Sequence, residues 1–239
     1  MDQFNQQQQP AWISASTNEM ADRTRALFRS VYGWMFGGLL LTAVASLWVV
    51  NSPSMQQLIF ANRMVPWILM IAEFGLVIYL SAGMRRMSPA AAASAFLVFA
   101  LLNGLTLSAI FFVYTASSIV QAFVASAGMF GAMSVYGMVT KRDLTSWGAF
   151  FFMGLIGIVI CSLINMFVRS SGFSLVISIV GVFVFVGLTA WDTQKIKVMA
   201  TSIGPEAHEK IAIYGALSLY LDFINLFLML LRIFGDRRR

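Results

Sequence analysis

Residues 219–235 read LYLDFINLFLMLLRIFG, an apolar run with Asp222 close to its middle. With the preceding IAIYGALS it is long enough to cross a bilayer, which takes about 20 residues of helix. Inside lipid every backbone N–H and C=O must be paired, and a run of this kind can do that only as a helix. A β-barrel needs alternating segments of about ten residues, and none occur. A second stretch, VFVGLTAWDTQKIK at 184–197, ends its own apolar run with Asp192. Each of the last two hydrophobic segments thus carries one carboxylate.

Working outward, the rest of the chain has the same character. Hydrophobic residues make up 59% and charged residues 11% of 239, with mean hydropathy +0.79. A soluble domain carries about 25% charged residues, so the chain is expected to be an all-α, polytopic membrane protein. Seven apolar segments are expected over about 30–50, 65–84, 89–114, 119–139, 146–168, 173–194 and 211–234. Residues 1–29 form a polar, Gln-rich N-terminal tail, expected to be flexible, and residues 30–236 a seven-helix transmembrane domain. The tail lacks the basic start and apolar core of a cleavable signal peptide. Gly33 with Gly37, and Gly154 with Gly157, suggest close helix packing within the chain, homodimerisation being the other use of such spacing.

The net charge of +6 does not indicate nucleic acid. Apart from the closing DRRR, the basic residues stand singly or in pairs between apolar runs, where Lys and Arg set topology. With the N-terminus inside, Arg23, Arg25, Arg29, Arg85, Arg86, Lys141, Arg142, Lys195, Lys197 and Lys210 are inside, against Arg63 and Arg169 in the outer loops. The expected location is a bacterial inner membrane, N-terminus cytoplasmic. Seven crossings leave RIFGDRRR outside, against the positive-inside tendency; a seventh segment that does not cross, or a re-entrant segment, is the alternative. The single cysteine, Cys161, excludes an intrachain disulfide, and the single histidine, His208, gives no histidine-rich metal site.

Three acidic residues lie within the apolar segments: Glu73, Asp192 and Asp222. A charged Asp at a helix centre costs about 2.5–3.5 kcal/mol on insertion scales, which makes each a functional candidate. A short loop joins the sixth and seventh spans, so they are expected to pair antiparallel with Asp192 facing Asp222. Asp192 reads as near the cytoplasmic end, or deeper if the helix continues through TQKIKV with Lys195 and Lys197 snorkelling outward. Two adjacent carboxylates in a poorly hydrated site cannot both ionise cheaply, so they share a proton and titrate as a unit. Losing that proton drives the helices apart or calls in a hard, oxygen-loving cation such as Ca²⁺. Ser218 and Asn225 share a helical face with Asp222. Arg85 is placed to serve as a counter-ion, Glu73 to line a path or pack as a protonated carboxyl, and Asn103 and Asn165 to bond between helices.

GLTAWDTQKIK (187–197) followed by ALSLYLDFINLFLMLLRIFG (216–235) resembles the signature of the Bax inhibitor-1, or transmembrane Bax inhibitor motif, family, in its bacterial inner-membrane branch. VYGWMFGGLLLT, LNGLTLSAIF and GMFGAMSVYGMVTKRDL support the resemblance, which covers about residues 28–236. It implies a seven-helix bundle with the last helix central and a pH-sensitive Ca²⁺ leak channel or transporter. The pH sensor and possible metal site falls on Asp192 and Asp222. A closing latch falls on Arg85 with Arg86 adjacent, and an acidic residue of the same helix on Glu73. Some bacterial relatives restrain a membrane-bound AAA protease, which makes a regulatory, protein-binding role the second reading. The third, an intramembrane aspartyl protease, would use a carboxylate pair. It lacks its Gly-x-Gly-Asp and Pro-Ala-Leu motifs here, and no P-loop, zinc motif or nucleophile elbow is present. The chain is therefore expected not to be an enzyme and to need no cofactor, with protons, Ca²⁺ and the lipid bilayer as its partners.

Overall fold

The computed structural model describes residues 11–83, 86–202 and 207–238, with side chains from residue 19 onward except Ser202. In chain order the helices are α1 (Ala11–Asn51), α2 (Pro53–Phe60), α3 (Met64–Gly83), α4 (Pro89–Leu107), α5 (Ile110–Val113), α6 (Ala116–Val139), α7 (Thr145–Val168), α8 (Ser171–Ser202) and α9 (His208–Phe234). Seven are long and apolar enough to cross a membrane. The third crossing is α4 continued by the short α5. No strand occurs among the described residues.

Polar side chains at the turns start these helices. Ser52 and Ser88 each cap a helix that opens with proline, and Thr115 caps α6. Pro suits a first turn because its missing N–H has no intrahelical partner there. Just before α7, Asp143 accepts from the Thr145 N–H at 2.8 Å and hydroxyl at 2.6 Å. The Thr145 hydroxyl, and then its N–H, hold this exposed carboxyl below the usual carboxylate range. It therefore stays ionised at neutral pH, and these bonds are lost only in acid.

Two spans run longer than the apolar pattern suggested. α1 starts at Ala11, not near Ser30, because Leu27, Phe28 and Val31 continue its buried stripe. α8 continues to Ser202 through TQKIKV, so Asp192 lies ten residues, or about 15 Å, from its end. Asp222 lies one residue past the midpoint of α9.

α9 is the centre of the bundle. Ile211–Ile213 and Gly215–Leu217 are consecutive buried stretches, which a helix shows only when covered on every side. It packs against α1, α4, α6 and α8, while α3 lies against α4 and α7 against α8. Tyr220 is keyed edge-on against Phe96 and Phe99 at 5.8 and 5.7 Å, and Phe223 against Phe123 and Phe130 at 5.4 and 5.6 Å.

The seventh helix is long and apolar enough to cross a membrane. Beyond it, Tyr114 and Arg237 form an antiparallel bridge, the Thr115 N–H donates to Asp236 O and the Arg238 N–H to Val113 O. The Asp236 N–H donates to Ser118 Oγ at 2.9 Å. The C-terminal residues are thus tied to the α5–α6 turn, at the end of the bundle opposite Arg86, Lys141 and Arg142.

The glycines that permit close packing are not all the expected ones. A Cβ on Gly33, Gly37 or Gly157 would meet nothing within 4 Å, whereas one on Gly154 would press on Val184. Gly33 and Gly37 face outward from α1, which corrects the expectation that they pack within the chain. Backbones approach instead at Gly104, against Thr42 of α1, and at Gly137, against Ala190 of α8.

Candidate ion site

α8 and α9 bring Asp192 and Asp222 together. The two carboxyl groups are close enough to act directly on each other. Asp222 is 4% exposed, and its Oδ2 is buried without a donor among the described residues. A buried carboxylate oxygen normally accepts several hydrogen bonds, so this one is left to a proton or a cation.

The charge nearest the pair is Lys195, one turn beyond Asp192 and acting on it without a close ion pair. It does not snorkel outward. Its Nζ donates to the Tyr214 hydroxyl at 3.1 Å and stands 4.9 Å from the Trp191 ring centroid and 5.2 Å from that of Tyr214. Tyr214, Ser218 and Asp222 recur every four residues along one face of α9. The Lys195–Tyr214 rung therefore stands between the pair and the basic end of the bundle. Lys197 is also engaged, donating to Met138 O at 2.6 Å near the end of α6, where cations are favoured.

Behind Asp192 is a hydroxyl cluster that sequence reasoning missed. Thr193 donates to Thr189 O at 2.7 Å and reaches Ser134 Oγ at 3.4 Å. The buried Tyr32 hydroxyl faces both Ser134 and Thr193, with no well-formed hydrogen bond of its own. Serines and threonines in apolar helices look like packing residues, and only the contact of α1, α6 and α8 brings these together.

Glu73 belongs to a different site. On α3 it accepts from the Asn103 amide at 3.2 Å and from the Thr106 hydroxyl. Tyr220 donates to Asn103 Oδ1 at 3.0 Å and meets Thr42 Oγ1 at 2.6 Å. The chain Glu73–Asn103–Tyr220–Thr42 ties α3, α4, α9 and α1. Asn103 is thus an interhelical residue, as expected, but Asn165 is local, accepting from Ser170 N–H in the α7–α8 turn. Replacing Tyr220 by Phe removes the donor to Asn103 and should lower unfolding stability by about 1 kcal/mol. Denaturation of the purified protein in mixed micelles measures this, and an unchanged midpoint would refute the tie.

Of the remaining candidates, Asn225 donates to Leu221 O at 2.8 Å. No hydrogen bond among the described residues joins Asn225 or Ser218 to either aspartate. Arg86 is exposed in a turn after α3 and forms no ion pair among the described residues. Arg85 lies outside the described residues. No group of three His, Cys, Asp or Glu residues gathers among them. Two carboxyls fall short of the six to eight oxygens of a resident Ca²⁺ site.

A family model described as "Inhibitor of apoptosis-promoting Bax1" matches residues 24–239. The inner membrane protein YbhL of Escherichia coli K12 is 53% identical over 211 residues, covering 87% of this chain and 90% of the relative. An uncharacterised protein of Rickettsia prowazekii is 44% identical over 227 residues, and one of Deinococcus radiodurans 45% over 227, each covering 94% of this chain and 96% of the relative. With a match over nearly all of its length, and seven apolar helices of which the last is central, the chain is a multi-pass membrane protein that belongs to the Bax inhibitor-1 family.

Proposed function

We propose that the protein is a pH-sensitive cation leak pathway, with Ca²⁺ as the ion passed and Asp192 and Asp222 as the gate. The observation that carries this reading is the carboxyl pair formed by Asp192 of α8 and Asp222 of the central helix α9, with Asp222 Oδ2 buried without a donor among the described residues. Protonated, the pair shares a hydrogen and holds α8 to α9. Deprotonated, it is two adjacent anions that repel or recruit a cation. The Lys195–Tyr214 rung is the approach to the pair from the basic end, and Ser218 and Asn225 supply oxygens on α9. Glu73, held in its own network by Asn103 and Thr106, stands outside this gate. Arg85, with Arg86, acts as the latch. Loop charges favour a cytoplasmic basic end, and the E. coli relative named an inner membrane protein supports the same membrane here.

Ca²⁺ uptake into proteoliposomes of the purified chain tests this. Flux should exceed that of empty liposomes and change about tenfold between about pH 6 and 8. Flux equal to that of empty liposomes throughout would end the leak reading and favour a regulatory one, in which the chain binds a membrane-bound AAA protease.

A further inference from the structure

A groove of ≈ 320 Å³ opens between α6, α7 and α8 at the basic end of the bundle, well away from Glu73 and its partners. Its walls are aromatic: Tyr136 is 44% and Trp147 59% exposed, with Phe151 and Trp191 deeper. Two small residues shape it. The Trp191 ring lies on Gly148 and the Phe151 ring on Gly187, with no room for a Cβ at either glycine. Exposed Trp and Tyr at a helix end mark the level of lipid headgroups.

At the mouth stands Arg142, with Lys141 beside it, both exposed. Neither side chain has a hydrogen-bond or ion-pair partner among the described residues. Their backbone is nonetheless fixed. Gln194 donates to Arg142 O at 2.8 Å and accepts from the Leu144 N–H at 2.8 Å, clamping the turn to α8. The acid that also lines the mouth, Asp143, is engaged by the Thr145 N–H and hydroxyl. The start of α7 adds the positive end of a helix dipole.

We propose that this groove binds an anionic phospholipid, its phosphate on Arg142 and Lys141 and an acyl chain along Trp147 and Phe151. The apolar lining and the opening toward the lipid-facing flank select a lipid over a soluble anion. The unpartnered cations select an anionic headgroup over a zwitterionic one. Trp191, one wall of the groove, precedes Asp192 in the chain. Any effect of the lipid on flux rests on the leak reading above, but the binding itself does not.

The test is native mass spectrometry of the full chain in neutral detergent, titrated with phosphatidylglycerol or phosphatidylcholine. Wild type should prefer phosphatidylglycerol by about tenfold. The double variant Lys141→Gln/Arg142→Gln should lose that preference with an unchanged melting temperature, since both side chains are exposed. Met133→Trp, which narrows the groove, should weaken both lipids together. A preference that survives the double variant would overturn the site. So would a wild type that binds the two lipids alike, and one that retains neither would assign the groove to a protein partner instead.

Discussion

Replacing Asp222 by Asn should flatten the pH dependence of Ca²⁺ flux to within about twofold across the range where wild type changes about tenfold. Two carboxylates about 4 Å apart repel by about 4 kcal/mol at an effective dielectric of about 20, so the wild-type pair loses its last proton at the expense of that repulsion. The substituted amide carries no titratable proton and leaves Asp192 to ionise without a like charge. It also keeps the size of the side chain and supplies an N–H donor to Asp192, so the helix contact is retained. Asp192→Asn should flatten the profile as well, but with a different residual flux, because it leaves the deeper carboxyl without Lys195 as a sequence neighbour. The paired measurement is flux at several pH values for both variants, with the unfolding midpoint as control. A wild-type pH profile in both variants would remove the pair from the gate even if the chain conducts.

Introducing Leu at Gly104, or Val at Gly137, should destabilise the fold by about 3 kcal/mol or more, near the upper end of overpacking effects. A Cβ on Gly104 would sit 2.5 Å from the Thr42 carbonyl oxygen and 2.6 Å from the Ala45 Cβ. One on Gly137 would meet the Ala190 carbonyl oxygen and, at 3.0 Å, Thr193 Cβ. Backbone cannot rotate aside as a side chain can, so a whole helix must move. At Gly104 that movement separates α1 from α4 and breaks the Ser46–Gly104 hydrogen bond, 2.7 Å long. At Gly137 it separates α6 from α8 directly beside Asp192. Gly33→Ala and Gly37→Ala meet open space and should leave the melting temperature unchanged, or raise it by the better helix propensity of Ala. Thermal unfolding of the four variants in one detergent decides the matter. Equal effects at all four positions would mean that these contacts do not hold the bundle together.

The glycines mark where sequence reasoning stops. Gly33 and Gly37 have the spacing associated with helix contacts, yet it is at Gly104 and Gly137 that the backbone of another helix comes close. Spacing along one helix says which residues share a face. It does not say which face meets a neighbour, because in a bilayer the outward face is apolar too. Lys195 shows the same limit: its position at the end of an apolar run fits snorkelling, whereas the aromatic rings of Trp191 and Tyr214 turn it inward. The terminal DRRR could not be assigned to a side from charge alone, and backbone pairing with residues 113–118 ties its start to the α5–α6 turn.

What the sequence determined by itself was the number and approximate extent of the membrane helices, and the presence of one carboxylate on each of the last two spans. Both follow from a one-dimensional property, since the cost of an unpaired peptide group or a charge in lipid depends on depth, and depth is proportional to position along a helix. Only the tertiary structure decided what lies across from each residue. That includes the burial of α9 on every side, the Tyr32–Ser134–Thr193 cluster behind Asp192, and the separation of Glu73 from the aspartate pair into a network of its own. Those depend on the rotation of each helix about its axis and on which helices are neighbours, and these are settled by close contacts among residues far apart in the chain.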